Sequence, residues 1–199
     1  MIKETAGFLL KYFHIAEKVE KEQLEICQYG MEIILATLVN IGSVLLIGFL
    51  CNEWMASIVF LTGFVAIRKQ SGGYHAGSYV TCNLSLILCY SVLLLLYHTT
   101  VKDFDWIGLA VVFLIHFLVW YFFMPVENEN KPLTSLQKRK AKKYGFYLSA
   151  AYTMMSALCI GMKFQAGLML SYTVILVDML ALVSVVKRRI AILCRKKIR

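Results

Sequence analysis

The sequence predicts an all-α polytopic membrane protein with six transmembrane helices and with its N and C termini in the cytoplasm. Three observations carry that prediction. Of the 199 residues, 59% are hydrophobic and only 17% are charged, whereas an ordinary soluble domain is about half apolar and a quarter charged. The apolar residues are gathered into blocks too long for a soluble core. Lys and Arg fall almost entirely on alternate segments between those blocks. A net charge of +9 would by itself suit nucleic acid. In a chain of mean hydropathy +0.67 the same excess is what cytoplasmic loops carry. The composition therefore disfavours a soluble enzyme, a disordered tail and a nucleic-acid reader, and points to anionic lipid headgroups as partner. The whole of 1–199 reads as one membrane domain.

Taken in order, residues 1–28 predict an N-terminal amphipathic helix. Phe8, Tyr12, Ile15, Ala16 and Val19 recur at helical spacing, so one face is set to lie on the cytoplasmic membrane surface or against the bundle. This is not a signal peptide, because Phe8-Leu9-Leu10 is too short an apolar core and Glu17, Glu20, Glu22 and Glu25 follow it. Spans follow at 30–50, 106–124, 145–162 and 166–186, each close to the roughly 20 residues that cross about 30 Å of hydrocarbon. Two shorter blocks, 54–67 and 84–97, reach only about 21 Å each as helices. Both abut the same segment, 68–83. Either that segment completes them by dipping into the membrane, or the two helices stop early. In both cases a recessed, Gly-rich loop between the second and third spans results, and its backbone must be satisfied by protein or trapped water.

Orientation follows from the basic residues. Nineteen of the 21 Lys and Arg lie in the N-terminal stretch, in 68–83, in 125–144 and in the C-terminal tail, while Lys102 and Lys163 stand on the other side. That split requires an even number of spans and places the larger group inside. The basic run Lys138-Arg139-Lys140 with Lys142-Lys143, and the tail Lys187 to Arg199, read as anchors to anionic lipid. The six cysteines do not suggest a disulfide framework: Cys89 and Cys159 lie in apolar blocks, and Cys27, Cys82 and Cys194 lie beside basic segments facing a reducing compartment.

The segment between the short blocks carries chemistry. Arg68-Lys69-Gln70-Ser71-Gly72-Gly73-Tyr74-His75-Ala76-Gly77-Ser78-Tyr79-Val80-Thr81-Cys82 sets three glycines, a histidine and a cysteine between two membrane helices. On one straight helix His75 and Cys82 would be about 10.5 Å apart in rise, too far for a proton to pass between base and nucleophile. If they act together the chain must fold back between them, and Gly77-Ser78 is where it can bend. A thiolate is the reactive form of cysteine, and positive neighbours favour it. A bland reading, Cys82 as inert packing at the membrane edge, stands beside this one. A zinc site from His75, Cys82, Cys89 and His98 fails because the third span carries His98 to the opposite face, and no metal or cofactor is expected.

The pattern Arg68-x3-Gly72-Gly73-x-His75-x6-Cys82 at the end of a second membrane helix resembles the accessory gene regulator B (AgrB) family. Pro125-Val126-Glu127-Asn128-Glu129-Asn130-Lys131-Pro132-Leu133 is similar to the cytoplasmic loop after that family's fourth helix. The likeness in hydropathy and topology covers essentially the whole chain. It implies a bacterial cell-membrane cysteine endopeptidase, a thiol protease of quorum sensing, with its active site on the cytoplasmic side. The substrate implied is an autoinducing-peptide precursor, an AgrD-like propeptide with an acidic C-terminal tail. Cys82 is then the nucleophile and His75 the general base, a thioester acyl-enzyme forms, and a thiolactone or lactone macrocycle closes. A homodimer is implied as well.

Other residues are candidates for supporting roles. Gly72 and Gly73 amides could serve an oxyanion or shape the backbone. Arg68 and Lys69 are candidates to bind the acidic tail, or are ordinary positive-inside anchors. Asp178, a carboxylate inside the last span, is a candidate to orient His75 or to hydrogen-bond a neighbouring helix; Glu32 and Gln70 are weaker rivals. His116, inside the fourth span, reads as an interhelix hydrogen bond. The alternative function is a small polytopic carrier or peptide exporter without covalent catalysis, with the Gly-rich segment as a re-entrant loop; a scaffold or sensor subunit is a third.

Overall fold

The computed structural model describes residues 2–14, 19–71, 79–99, 106–126 and 134–197. Among them the chain forms seven helices: α1 (Ile2–Tyr12), α2 (Lys21–Leu50), α3 (Trp54–Ser71), α4 (Tyr79–Thr99), α5 (Trp106–Phe123), α6 (Ser135–Gly161) and α7 (Ala166–Lys197). Three stretches, 23–50, 80–99 and 166–190, are long and apolar enough to cross a membrane. Many large apolar side chains face outward, including Leu46, Leu88, Leu114 and Leu158 at 58–66% exposure. A water-soluble protein does not leave so much apolar surface bare, so this is a helical membrane protein whose outer faces suit lipid.

Local sequence explains the element ends. Thr134 starts α6 with a reciprocal cap, in which Gln137 N–H donates to Thr134 Oγ1 (3.3 Å) and Thr134 N–H donates to Gln137 Oε1 (3.0 Å). The α2–α3 turn passes through Asn52 at φ 59°, and Glu53 N–H donates to Gly48 O at 2.6 Å. Gly48 is required there because the Ser57 side chain fills the space a Cβ would take. Lys163, also at φ 59°, turns α6 into α7. At the N-terminus the amphipathic helix occupies Ile2–Tyr12, and His14 at φ 54° ends it. Ala6 and Leu10 bury one face while α1 packs on α2, and Phe8, Tyr12 and Phe13 stay exposed. Residues from Lys21 onward already belong to α2.

The two short blocks are lengthened by their polar neighbours. α3 continues through Arg68-Lys69-Gln70-Ser71 to 18 residues, about 27 Å of rise, and α4 begins at Tyr79 and runs 21 residues, about 31 Å. The segment 68–83 thus supplies helix to both sides. Its middle, 72–78, lies outside the described residues, as do the expected positions of Gly72, Gly73 and His75.

α7 packs against α3, α4, α5 and α6. Two apolar clusters divide the interior along its length. One joins Val44, Phe60, Tyr90, Leu93, Tyr97 and Met169, toward the end where Glu53 approaches His98 (3.9 Å) and Tyr97 OH donates to Gln165 (3.1 Å). The other joins Ile67, Val119, Trp120, Val126, Val174 and Val177, toward the end carrying Arg68 and the basic start of α6. The buried face of α6 is Gly145, Ser149, Thr153, Ser156 and Ile160, spaced by three or four residues. Small and hydroxyl side chains let membrane helices approach closely, and Ser156 uses the approach to donate to Gly167 O at 2.7 Å.

Candidate functional site

The site is built where α3 ends and α4 begins. Ser71, fully buried, closes α3, and its carbonyl accepts a hydrogen bond from Val126 N–H at 2.8 Å. Val126 is buried in the cluster that holds Ile67 and Trp120. The two sequence segments singled out above, 68–82 and 125–133, are therefore joined in space at their described ends. Spacing in the sequence gave no sign of that junction.

Cys82 occupies the first turn of α4 and is half-buried. The free amides of a helix's first turn carry partial positive charge, a favourable surrounding for an anionic sulfur. Its neighbour Asn83 is buried at 9% exposure, and its Oδ1 has no hydrogen-bond partner among the described residues. Arg68, partly buried on the last turn of α3, lies within electrostatic reach of Cys82. Lys69 points outward and is exposed. Arg68 and Lys69, neighbours in sequence, thus stand in different surroundings. The five cysteines whose side chains are described, Cys82 among them, are free thiols.

The last turn of α3 rests on two further helices. Trp120 of α5 is fully buried, and its indole lies directly over Gly145 of α6, where Gln70 of α3 also closes in: a Cβ on Gly145 would meet Gln70 Cβ at 2.9 Å. The indole N–H reaches Lys142 O at 3.4 Å. Lys142 Nζ donates to Tyr121 O at 2.9 Å and sits 5.1 Å from the centre of the Tyr121 ring. A basic side chain of the expected lipid anchor is thereby tied to α5.

Asp178 is placed with His116. Its Oδ2 is hydrogen-bonded to His116 Nδ1 at 2.8 Å, and the other ring nitrogen, Nε2, is hydrogen-bonded to Ser149 Oγ. All three side chains are buried, at 6%, 0% and 0% exposure for Asp178, His116 and Ser149. Asp178 thus forms the interhelix hydrogen bond that was one of its two expected roles, and His116 forms the one expected of it. Asp178 Oδ1 has no partner among the described residues, and the expected alternative partner, His75, lies outside them. Glu32 is also buried, with Gln28 Nε2 donating to it at 3.3 Å. Sequence reasoning missed Ser149, Trp120 and Gly145, and it named Val126 only as part of the segment 125–133. The small-residue stripe of α6 was the available signal for Gly145 and Ser149.

The profile of the accessory gene regulator B family matches residues 2–185 of the chain. AgrB-like protein 2 of Clostridium perfringens strain 13 is 31% identical over 175 residues, covering 81% of each chain. An AgrB-like protein of Clostridium perfringens strain SM101 is 32% identical over 175 residues, again with 81% of each covered. No solved structure matches. With nearly its whole length matched, and with both segments of the resemblance meeting at one end of its bundle, the chain belongs to the accessory gene regulator B family, whose role is the processing of quorum-sensing peptide precursors.

Proposed function

We propose that the chain is a membrane-embedded cysteine endopeptidase that removes the C-terminal tail of an autoinducing-peptide precursor and promotes its macrocyclisation. The observation that carries this reading is Cys82: a free, half-buried thiol in the first turn of a helix, within electrostatic reach of a guanidinium, inside the segment that matches the family. In the proposed arrangement α2 to α7 are the six spans. Both termini and the Cys82 end face the cytoplasm, and two copies pair as a homodimer.

The chemistry runs in two steps. The Cys82 thiolate attacks the carbonyl carbon that precedes the tail, and the oxyanion is met by backbone amides, with Gly72 and Gly73 as candidates. The C–N bond then breaks as His75 gives a proton to the departing amine, leaving a thioester on Cys82 and the free tail. A thiol or hydroxyl of the peptide next attacks the thioester carbonyl and loses its proton to His75. The Cys82 sulfur leaves, and a thiolactone or lactone ring has closed. Thioester exchange for a thiolactone conserves the bond type, so little driving force is needed beyond excluding water, which a recessed site provides.

The deciding experiment uses the purified chain in lipid vesicles with synthetic propeptides, followed by mass analysis. Released tail, cyclic product and a peptide trapped as a thioester on Cys82 are expected. Cys82→Ser and His75→Ala should abolish release in protein that still folds. Tail release by Cys82→Ala at the parent rate overturns the reading and favours a carrier without covalent chemistry.

A further inference from the structure

The strongest polar feature outside the Cys82 segment is the chain of three buried side chains that spans α5, α6 and α7. His116 uses both ring nitrogens, one on Asp178 Oδ2 (2.8 Å) and the other on Ser149 Oγ. With Asp178 ionised, Nδ1–H donates to the carboxylate, and Nε2 accepts from the Ser149 hydroxyl. A ring held at both nitrogens is fixed in position and in rotation. In a low-dielectric interior, separating such partners leaves polar groups with no water to replace them. α5 is therefore set against α6 and α7 at one depth and one angle.

One turn along α5 that setting becomes a contact with α3. Trp120 follows His116 by four residues, and the two rings lie 6.1 Å apart. The Trp120 indole covers Gly145, four residues and about one turn before Ser149 on α6, and the same spot is closed by Gln70. Trp120 also shares its apolar cluster with Ile67 and with Val126, whose N–H holds the Ser71 carbonyl. A rotation of α5 would move the indole, and with it the last turn of α3 that carries Arg68 toward Cys82.

We propose that Ser149, His116 and Asp178 are positioning residues that hold the end of α3 in register with Cys82, acting through Trp120. All three side chains are buried between α5, α6 and α7. Their part in catalysis rests on the peptidase reading above; their part in holding α3 does not.

Two measurements on the full chain in lipid vesicles test this: kcat and KM for tail release from a synthetic propeptide, and the rate at which a small neutral maleimide alkylates Cys82, resolved from the other thiols by peptide mapping. Asp178→Asn keeps an acceptor for Nδ1–H and should stay within threefold of the parent in both. Asp178→Leu should lower kcat at least tenfold with KM within twofold, and should change Cys82 alkylation at least threefold. If the folded Asp178→Leu chain matches the parent in both, the proposal is overturned. Where that variant does not fold, the cycle of His116→Gln, Trp120→Phe and the double variant decides: coupled effects on alkylation support action through Trp120, and additive effects overturn it. If the parent releases no tail yet alkylation separates Asp178→Leu from Asp178→Asn, the peptidase reading has failed and the positioning role stands.

Discussion

The Val126 backbone N–H donates to the Ser71 carbonyl across 2.8 Å, and so ties the segment after α5 to the last residue of α3. This bond joins two stretches 55 positions apart in sequence, and it stands one turn from Arg68. Val126→Pro removes the donor while Val126→Ala keeps it and trims the side chain. The net value of one such bond is about 1 kcal/mol, roughly a factor of five in an equilibrium. Val126→Pro is therefore expected to lower the melting temperature in detergent and to slow tail release severalfold more than Val126→Ala, as read by thermal unfolding and by mass analysis.

Gly145 tests the floor beneath that turn. A methyl there runs into the Trp120 indole and the Gln70 stem. Overpacking of this kind costs about 1–3 kcal/mol. Gly30, on α2, has nothing within 4 Å of a built Cβ, and Ala there gains helix propensity worth up to about 1 kcal/mol. Thermal unfolding should show Gly145→Ala destabilised and Gly30→Ala unchanged or more stable. Equal behaviour of the two would mean that α6 does not sit this close to Trp120.

The buried pair Ser57 and Tyr90 predicts an asymmetry. Their hydroxyls meet at 2.6 Å between α3 and α4, and both side chains are fully buried. Ser57 has a second partner, the Glu53 carbonyl at 3.3 Å. Tyr90→Phe leaves Ser57 bonded within its own helix. Ser57→Ala leaves the Tyr90 hydroxyl without Ser57 in a dry interior, a loss of about 1–3 kcal/mol. Unfolding in detergent should rank Ser57→Ala below Tyr90→Phe, with the double variant recovering part of the loss.

Much of this architecture was legible in the sequence because lipid imposes one demand, a helix long enough to bury its own backbone. The blocks at 30–50 and 166–186 each lie within one helix, and those at 106–124 and 145–162 overrun theirs by a single residue. The blocks at 54–67 and 84–97 looked short because apolar character ends before helical structure does: Arg68, Lys69 and Gln70 extend α3 without being apolar. The site was legible in part. Residue chemistry singled out Cys82, Arg68, Asp178 and His116, but periodicity along one chain carries no distance between chains of helices. The partnership of Asp178 with His116, the covering of Gly145 by Trp120 and the bond from Val126 to Ser71 are all contacts between elements far apart in sequence. Arg68 and Lys69 looked equivalent as adjacent basic residues. Their difference comes from the helix, which turns one inward and the other out.

That difference yields the sharpest test of what Arg68 does. Arg68 lies within electrostatic reach of Cys82, while Lys69 is exposed. If Arg68 is a counter-charge for the thiolate, its removal must show in the chain without any peptide present. Losing about 1 kcal/mol of charge pairing corresponds to roughly a fivefold effect. Arg68→Gln should therefore slow alkylation of Cys82 by a neutral reagent by about that factor, and Lys69→Gln should leave it unchanged. If instead Arg68 binds the acidic tail of the precursor, alkylation is untouched and KM rises in proportion to the number of tail carboxylates. Added salt separates the two further, since a partly buried pair is screened far less than contacts made by an exposed lysine. Unchanged alkylation and unchanged KM in Arg68→Gln would reduce Arg68 to a positive-inside anchor and leave Cys82 without a charge partner on α3.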